Sequence, residues 1–234
     1  VCRMSHDLRS AGRAMTLLIF DCDGVLVDSE TIANEELAET LTALGRPTTA
    51  AECMRTQIGR SLSDILRETA EIVGRPIPEG AAEEMNERLF VRFRAELRAI
   101  EGVADAIAAL PHPRCLASSS RPERIDLALA TTGLDALFQK RFSATQAARG
   151  KPAPDLFLLA TREMDAHSAI VIEDSVAGVQ AARAAGMMAI GFVGGGHADQ
   201  DLASRLSVAG AARVIAHMRD LPPTIASLLS QVPR

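Results

Sequence analysis

Two carboxylates one residue apart close an apolar run in Leu17-Leu18-Ile19-Phe20-Asp21-Cys22-Asp23-Gly24. Two more acids, Glu173 and Asp174, end the run "AIVIED" (169–174), and Ser118, Ser119 and Ser120 end "CLASSS" (115–120). Lys151 stands in the Pro-rich turn "GKPAPD" (150–155); it is one of two lysines, beside 23 arginines, so a point charge is kept where the chain otherwise uses a flat guanidinium. A lone Asp-x-Asp-Gly is an ordinary turn or helix cap. Combined with the other three stretches it describes a different object. Asp21, Asp23 and Asp174 offer hard oxygen ligands of the kind magnesium takes together with a carbonyl, waters and phosphate oxygens. Ser118 and the N–H groups after it can donate to a phosphoryl oxygen, and Lys151 can neutralise a further charge. Gly24 allows a sharp turn that aims backbone N–H groups at the same anion. The pattern describes a phosphate site that contains a nucleophile.

Such groups act together only if the fold brings the ends of several strands to one edge. "TLLIFD" (16–21), "RCLASS" (114–119), "AIVIED" (169–174), "MAIGFV" (188–193) and "ARVIAH" (212–217) read as strands. They are nearly continuous apolar runs, as expected of parallel strands covered on both faces. Helical patterns at 102–111, 122–133, 154–165 and 175–186 alternate with them. The expected fold is therefore α/β, a doubly wound parallel Rossmann-like sheet with right-handed crossovers. Ligands of such sheets bind beyond the carboxyl ends of the strands, where the acids, serines and lysine would gather. Residues 31–97 contain no convincing strand. Helical spacing at 30–45, 61–74 and 81–97 predicts an inserted all-helical domain. The expected domains are a core of 15–30 and 98–234, a helical cap of 31–97, and a disordered leader of 1–14, with Met15 as an alternative start.

The 234 residues carry a net charge of −5 with no Lys/Arg block, which argues against nucleic-acid binding. No apolar run approaches the roughly 20 residues of a membrane span, and residues 1–14 lack the apolar core of a secretory signal. The four cysteines fall at no metal-ligand spacing, and Cys22 and Cys115 read as small packed thiols of a reduced, cytoplasmic protein. A monomer is expected, as suits a cap that moves freely. "VGGGHAD" (193–199) has a glycine-rich look but no G-K-[ST]; it reads as a flexible turn, with His197 on the surface or, as the lesser alternative, lining the site entrance.

Taken together, these stretches resemble the haloacid dehalogenase superfamily of phosphotransferases. "FDCDGVLVDSE", "CLASSS", "GKPAPD" and "VIEDSVAGVQAARAAGM" are similar to its four motifs, in order, over nearly the whole chain after residue 15. The helical insert after the first motif resembles the type 1 cap of the subgroup that holds β-phosphoglucomutase and many sugar-phosphate phosphatases. The resemblance implies that Asp21 is a nucleophile forming an aspartyl-phosphate. Asp23 would be the acid and base that protonates the leaving oxygen and activates water, its carbonyl also ligating Mg2+. Asp174 would ligate the metal directly, with Glu173 in its inner or outer shell. Ser118 and Lys151 would hold the phosphoryl group. Magnesium and Lys151 should keep Asp21 ionised, while Asp21 and a dry site should raise the pKa of Asp23.

Within the superfamily, Asp23 and the Glu173-Asp174 pair favour phosphate esters over haloacids. The mutases carry a His about ten residues past the acid/base Asp; here no His lies between His6 and His112, and position 33 is Ala33. Hydrolysis of a small phosphorylated sugar, sugar acid or polyol is therefore expected, with a sugar phosphomutase as the alternative. A receiver-like phospho-acceptor switch is a remote third, opposed by the chain's length, its insert and an acceptor Asp on the first strand. In "IGRSLSDIL" (58–66), Arg60 is the candidate cap contact to substrate; Ser119 and Ser120 are candidates on the core side, and Arg121 a weaker one.

Overall fold

The computed structural model describes residues 15–57 and 62–231. Six parallel strands form one sheet: β1 (Leu17–Phe20), β2 (Arg114–Ser118), β3 (Arg141–Ser143), β4 (Ala169–Glu173), β5 (Met188–Phe192) and β6 (Arg213–Ile215), in spatial order β3-β2-β1-β4-β5-β6. Successive side chains of a strand point to opposite faces, and β1 is buried on both. Leu18 and Phe20 enter one apolar layer, with Ile107, Ile125, Leu129 and Leu228. Leu17 and Ile19 enter the other, with Phe157, Val179 and Leu206. The first layer is covered by α5 (Val103–Ala108), α6 (Pro122–Thr132) and α10 (Leu221–Gln231), the second by α7 (Asp155–Glu163), α8 (Val176–Ala184) and α9 (Leu202–Ala209). This is the doubly wound sheet expected from the sequence. Cys22, Cys53 and Cys115 are free and buried; burial pushes the Cys115 thiol up to about 12, so it behaves as a packed apolar group.

Between β1 and α5 the chain forms α1 (Glu30–Ala43), α2 (Ala50–Thr56), α3 (Leu62–Val73) and α4 (Ala81–Glu96). They share a small core of Leu37, Leu41, Cys53, Ile65 and Met85. Polar ties reinforce it: the Arg88 guanidinium donates to the buried Glu36 carboxylate at 2.7 Å, joining α4 to α1. One face of α4 continues past this core, as Leu89 and Phe93 enter the apolar layer of the sheet. No helix among the described residues is long and apolar enough to cross a membrane. The leader expected at 1–14 lies outside the described residues.

Four elements went unforeseen in the sequence. β3 is a three-residue edge strand, Arg-Phe-Ser, too short to show a period. α2 is one short helix that begins at a capping box of Thr49 and Glu52. α9 and α10 follow the last recognisable motif, and α10 opens on Leu-Pro-Pro, which reads as a breaker although Pro is tolerated in a first helical turn.

Candidate active site

Register determines what meets at the carboxyl edge. Phe20 is opposite Leu116 on one side and Ile172 on the other. The next residue of each strand is therefore Asp21, Ala117 and Glu173, with Ser118 and Asp174 just beyond. Past β1 the chain coils tightly, with the Gly24 N–H donating to the Val27 carbonyl at 2.8 Å. Gly24 has φ +73°, and a Cβ there would collide with the Asp174 carboxylate. Only glycine meets both demands.

Lys151 reaches this edge from the turn before α7. Its ammonium donates to Asp21 Oδ1 at 2.6 Å, to Glu173 Oε1 at 2.6 Å and to the Ala117 carbonyl at 3.2 Å. Glu173 Oε2 accepts from the Ser175 N–H and hydroxyl at 3.0 and 2.8 Å, and Ser175 in turn caps α8 through the Gly178 N–H. Both Glu173 oxygens are thus engaged by protein donors. Ser118 Oγ accepts from the Ser120 N–H at 3.0 Å, which leaves its own O–H to donate into the site.

Asp21, Glu173 and Asp174 each bring a carboxylate oxygen within 4.8 Å of the others, all three residues buried. Burial raises Asp21 well above the usual carboxylate range, and Glu173 and Asp174 add to it, against the opposing charge of Lys151. Asp174 is also raised, by burial first and then by Glu173, against the pull of His197 and Lys151. Lys151 stays charged, because its two carboxylate partners outweigh its burial. One ammonium does not balance three buried carboxylates. Asp21 Oδ2 and Asp174 Oδ1 accept no hydrogen bond among the described residues. A hard divalent cation fits that donor set and that excess of negative charge. Among the described residues Asp21, Glu173 and Asp174 are the group that could hold it.

The Asp23 carboxylate has its own set of partners. It accepts from Ser29 Oγ at 2.5 Å, Ser120 Oγ at 2.6 Å and Arg124 Nη2 at 2.8 Å. Ser29 precedes α1 and makes no side-chain cap bond to that helix; its hydroxyl donates to Asp23. Burial raises Asp23, but Arg124 and the two hydroxyls more than offset it, so its pKa lies below the ordinary value. The raised pKa expected from the sequence is therefore corrected for this arrangement, and the cause is Arg124. That residue sits in the first turn of α6, where Pro122 at the helix start fixes its direction, and its guanidinium lies 5.2 Å from the centre of the Phe93 ring of α4.

Other candidates divide. Ser120 meets Asp23, while Ser119 is exposed and hydrogen-bonded to nothing among the described residues. Arg121 is exposed, and Arg60 lies outside the described residues. His197 is not a surface residue. Its side chain is 7% exposed, and Nε2 lies 3.0 Å from Asp174 Oδ2. Glu30 also turns toward the site from the start of α1, and burial and Asp23 raise its pKa. Sequence reasoning passed over Ser29, Glu30 and Arg124, although Arg124 carried a signal: a cation one turn into the helix that follows the serine motif.

Two curated relatives are similar to this chain over most of its length. The 6-phosphogluconate phosphatase of Escherichia coli K12 is 29% identical over 184 residues, 77% of this chain and 83% of that protein. The phosphorylated carbohydrates phosphatase of Thermotoga maritima is 30% identical over 181 residues, 74% of this chain and 82% of that protein. A crystal structure of a haloacid dehalogenase-like protein from Agrobacterium tumefaciens superposes with a TM-score of 0.81 at 38% identity, covering 92% of this chain and 99% of that one. Residues 15–186 match the sequence model of the haloacid dehalogenase-like hydrolases, and the chain belongs to that family.

Proposed function

We propose that this hydrolase is a magnesium-dependent phosphatase acting on a small phosphorylated sugar, sugar acid or polyol through an aspartyl-phosphate. The observation that carries the reading is the buried Asp21 carboxylate, which takes the Lys151 ammonium on one oxygen and sits in a cluster with Glu173 and Asp174 whose carboxylate oxygens lie within 4.8 Å of one another. Asp21 Oδ2 attacks phosphorus; the Asp21–phosphorus bond forms as the bond to the leaving oxygen breaks. The Asp23 carboxyl gives that oxygen its proton. Asp23, now ionised, takes a proton from a water that attacks phosphorus, releasing inorganic phosphate and restoring Asp21. Ser118 and Lys151 donate to the phosphoryl oxygens in flight. Magnesium would supply further charge neutralisation when bound. The acid role needs a protonated Asp23, and the phosphate ester favours it by bringing negative charge beside a carboxylate that only Arg124 now balances.

The relatives named for 6-phosphogluconate and for phosphorylated carbohydrates support the substrate class. The four helices between β1 and α5 would act as a cap that closes over the substrate. Mutase chemistry is disfavoured at position 33, where Ala33 packs against the apolar layer of the sheet and offers no group to handle a proton.

The test is inorganic phosphate release across a panel of sugar and sugar-acid phosphates, in magnesium or EDTA, with Asp21→Asn alongside. Release that needs magnesium and disappears in D21N is expected. Turnover surviving in D21N would remove the covalent mechanism. Conversion of glucose 1-phosphate to the 6-phosphate without release would make the protein a mutase.

A further inference from the structure

The turn after β5 runs Val193-Gly194-Gly195-Gly196-His197, and it is fastened to the catalytic loop. The Gly196 N–H donates to Asp28 Oδ1 at 3.0 Å, across 168 residues of sequence. One residue later His197 meets Asp174. The glycines permit this approach. A Cβ on Gly24 would stand 2.8 Å from His197 Cε1, a Cβ on Gly195 would stand 2.9 Å from Cε1 and Nδ1, and a Cβ on Gly196 would press on the Asp28 carboxylate at 2.9 Å. The turn therefore packs as a wall of the site, with the imidazole wedged between the first-motif loop and the end of β4.

His197 Nδ1 is buried with no hydrogen-bond partner among the described residues. Asp174, as a carboxylate, can only accept. Nε2 lies 3.0 Å from Oδ2, so a proton carried on Nε2 is the one that can serve that oxygen, and Oδ1 remains without a donor among the described residues. A carboxylate held by one oxygen presents the other in a single orientation, so its rotamer freedom is lost on folding rather than on binding an ion.

We propose that His197 is a positioning residue for the metal site: its Nε2–H fixes Asp174 so that Oδ1 is presented to a divalent cation. The inference rests on reading the site as metal-dependent, and the experiment separates the two. The full chain is titrated with Mn2+ in the absence of any substrate, the free ion being counted by electron paramagnetic resonance. Wild type is compared with His197→Gln, His197→Asn and Asp174→Asn. A glutamine amide reaches the place of Nε2; an asparagine amide reaches only that of Nδ1. Both are polar and near the size of histidine, and matching far-UV circular dichroism checks that they fold. Loss of such an outer partner typically weakens metal affinity about 10–100-fold. The expected result is a loss of that size in H197N, affinity within a few-fold of wild type in H197Q, and no bound ion in D174N. Equal affinity in H197N and wild type, with D174N still losing the ion, overturns the role of His197 and leaves the metal site standing. A wild type that binds no Mn2+, or a D174N that binds as wild type does, overturns the metal reading and this inference with it.

Discussion

Asp21 and Asp23 have the same side chain, lie two residues apart, and have their pKa values shifted in opposite directions by their surroundings. Asp21 has one cation and two neighbouring carboxylates, and burial drives it toward protonation. Asp23 has Arg124 and two hydroxyls, and stays ionised in spite of burial. This separation is what the two roles require, a nucleophile waiting for further positive charge and a proton carrier waiting for negative charge. It also yields a prediction. Asp23→Asn should lower kcat about 10²–10⁴-fold for an alkyl phosphate such as a sugar phosphate. It should cost far less for p-nitrophenyl phosphate, whose leaving group departs without a proton. Equal losses on both substrates would deny Asp23 the acid role. The type and spacing of Asp21, Asp23, Ser118, Lys151 and Asp174 were legible in the sequence because each ends a strand or opens a turn. Arg124 and His197 were not, because their meaning lies in partners 101 and 23 residues away, Asp23 and Asp174.

At the scale of elements, the site depends on how closely a helix can approach the end of a strand. α8 starts immediately after β4, and Gly178 in its first turn lies against the Glu173 carboxylate, where a Cβ would overlap the carboxylate group. Gly→Ala inside a helix ordinarily stabilises it by roughly 0.5–1 kcal/mol. Here Gly178→Ala must displace Glu173, and with it the Lys151 ammonium that Glu173 and Asp21 share at 2.6 Å each. Displacements of about 1 Å in a positioning group can cost roughly 10²-fold in rate. The expected outcome is a folded protein with kcat reduced on that order, checked by kinetics alongside thermal melts. Unchanged kcat would show that Glu173 can yield without moving Lys151. The same close approaches explain what sequence reading missed at this scale. The strands announced themselves by unbroken apolar runs, and α1, α3 and α4 by their period. The glycines of 194–196 looked like a loose turn, because a residue without a side chain reports nothing of the groups pressed against it. β3 escaped because three residues at a sheet edge carry no period.

For the molecule as a whole, the carboxyl edge of the sheet concentrates acid. Asp21, Asp23, Glu30, Glu173 and Asp174 face Lys151, Arg124 and His197. Asp21, Glu30 and Asp174 have pKa values raised above the ordinary range. A carboxyl with a higher pKa in the folded chain binds its proton more tightly there than in the unfolded chain. It therefore favours the fold at low pH, and that contribution fades as pH rises from the ordinary carboxylate range through the raised folded values. Asp23, with its lowered pKa, acts only in the more acidic window, where its stabilisation is lost as pH falls through its folded value, so it does not compensate near neutrality. The metal-free protein should thus lose stability toward neutral pH at the same edge that the mechanism needs ionised. A divalent cation bound as proposed should reverse this, because it would bind the ionised cluster of the folded chain and find no such cluster in the unfolded one. At a concentration 100 times its Kd an ion adds about 2.7 kcal/mol. At about 2–4 °C per kcal/mol for a chain of this size, that raises Tm by about 5–10 °C. As pH falls the ion competes increasingly with protons for Asp21 and Asp174, whose pKa values are raised, so the gain should shrink. Thermal unfolding in magnesium and in EDTA, at pH 5 and pH 8, should show a magnesium-dependent rise in Tm that is larger at pH 8 and absent in Asp174→Asn. A rise independent of pH, or one that persists in D174N, would place the ion elsewhere on the protein.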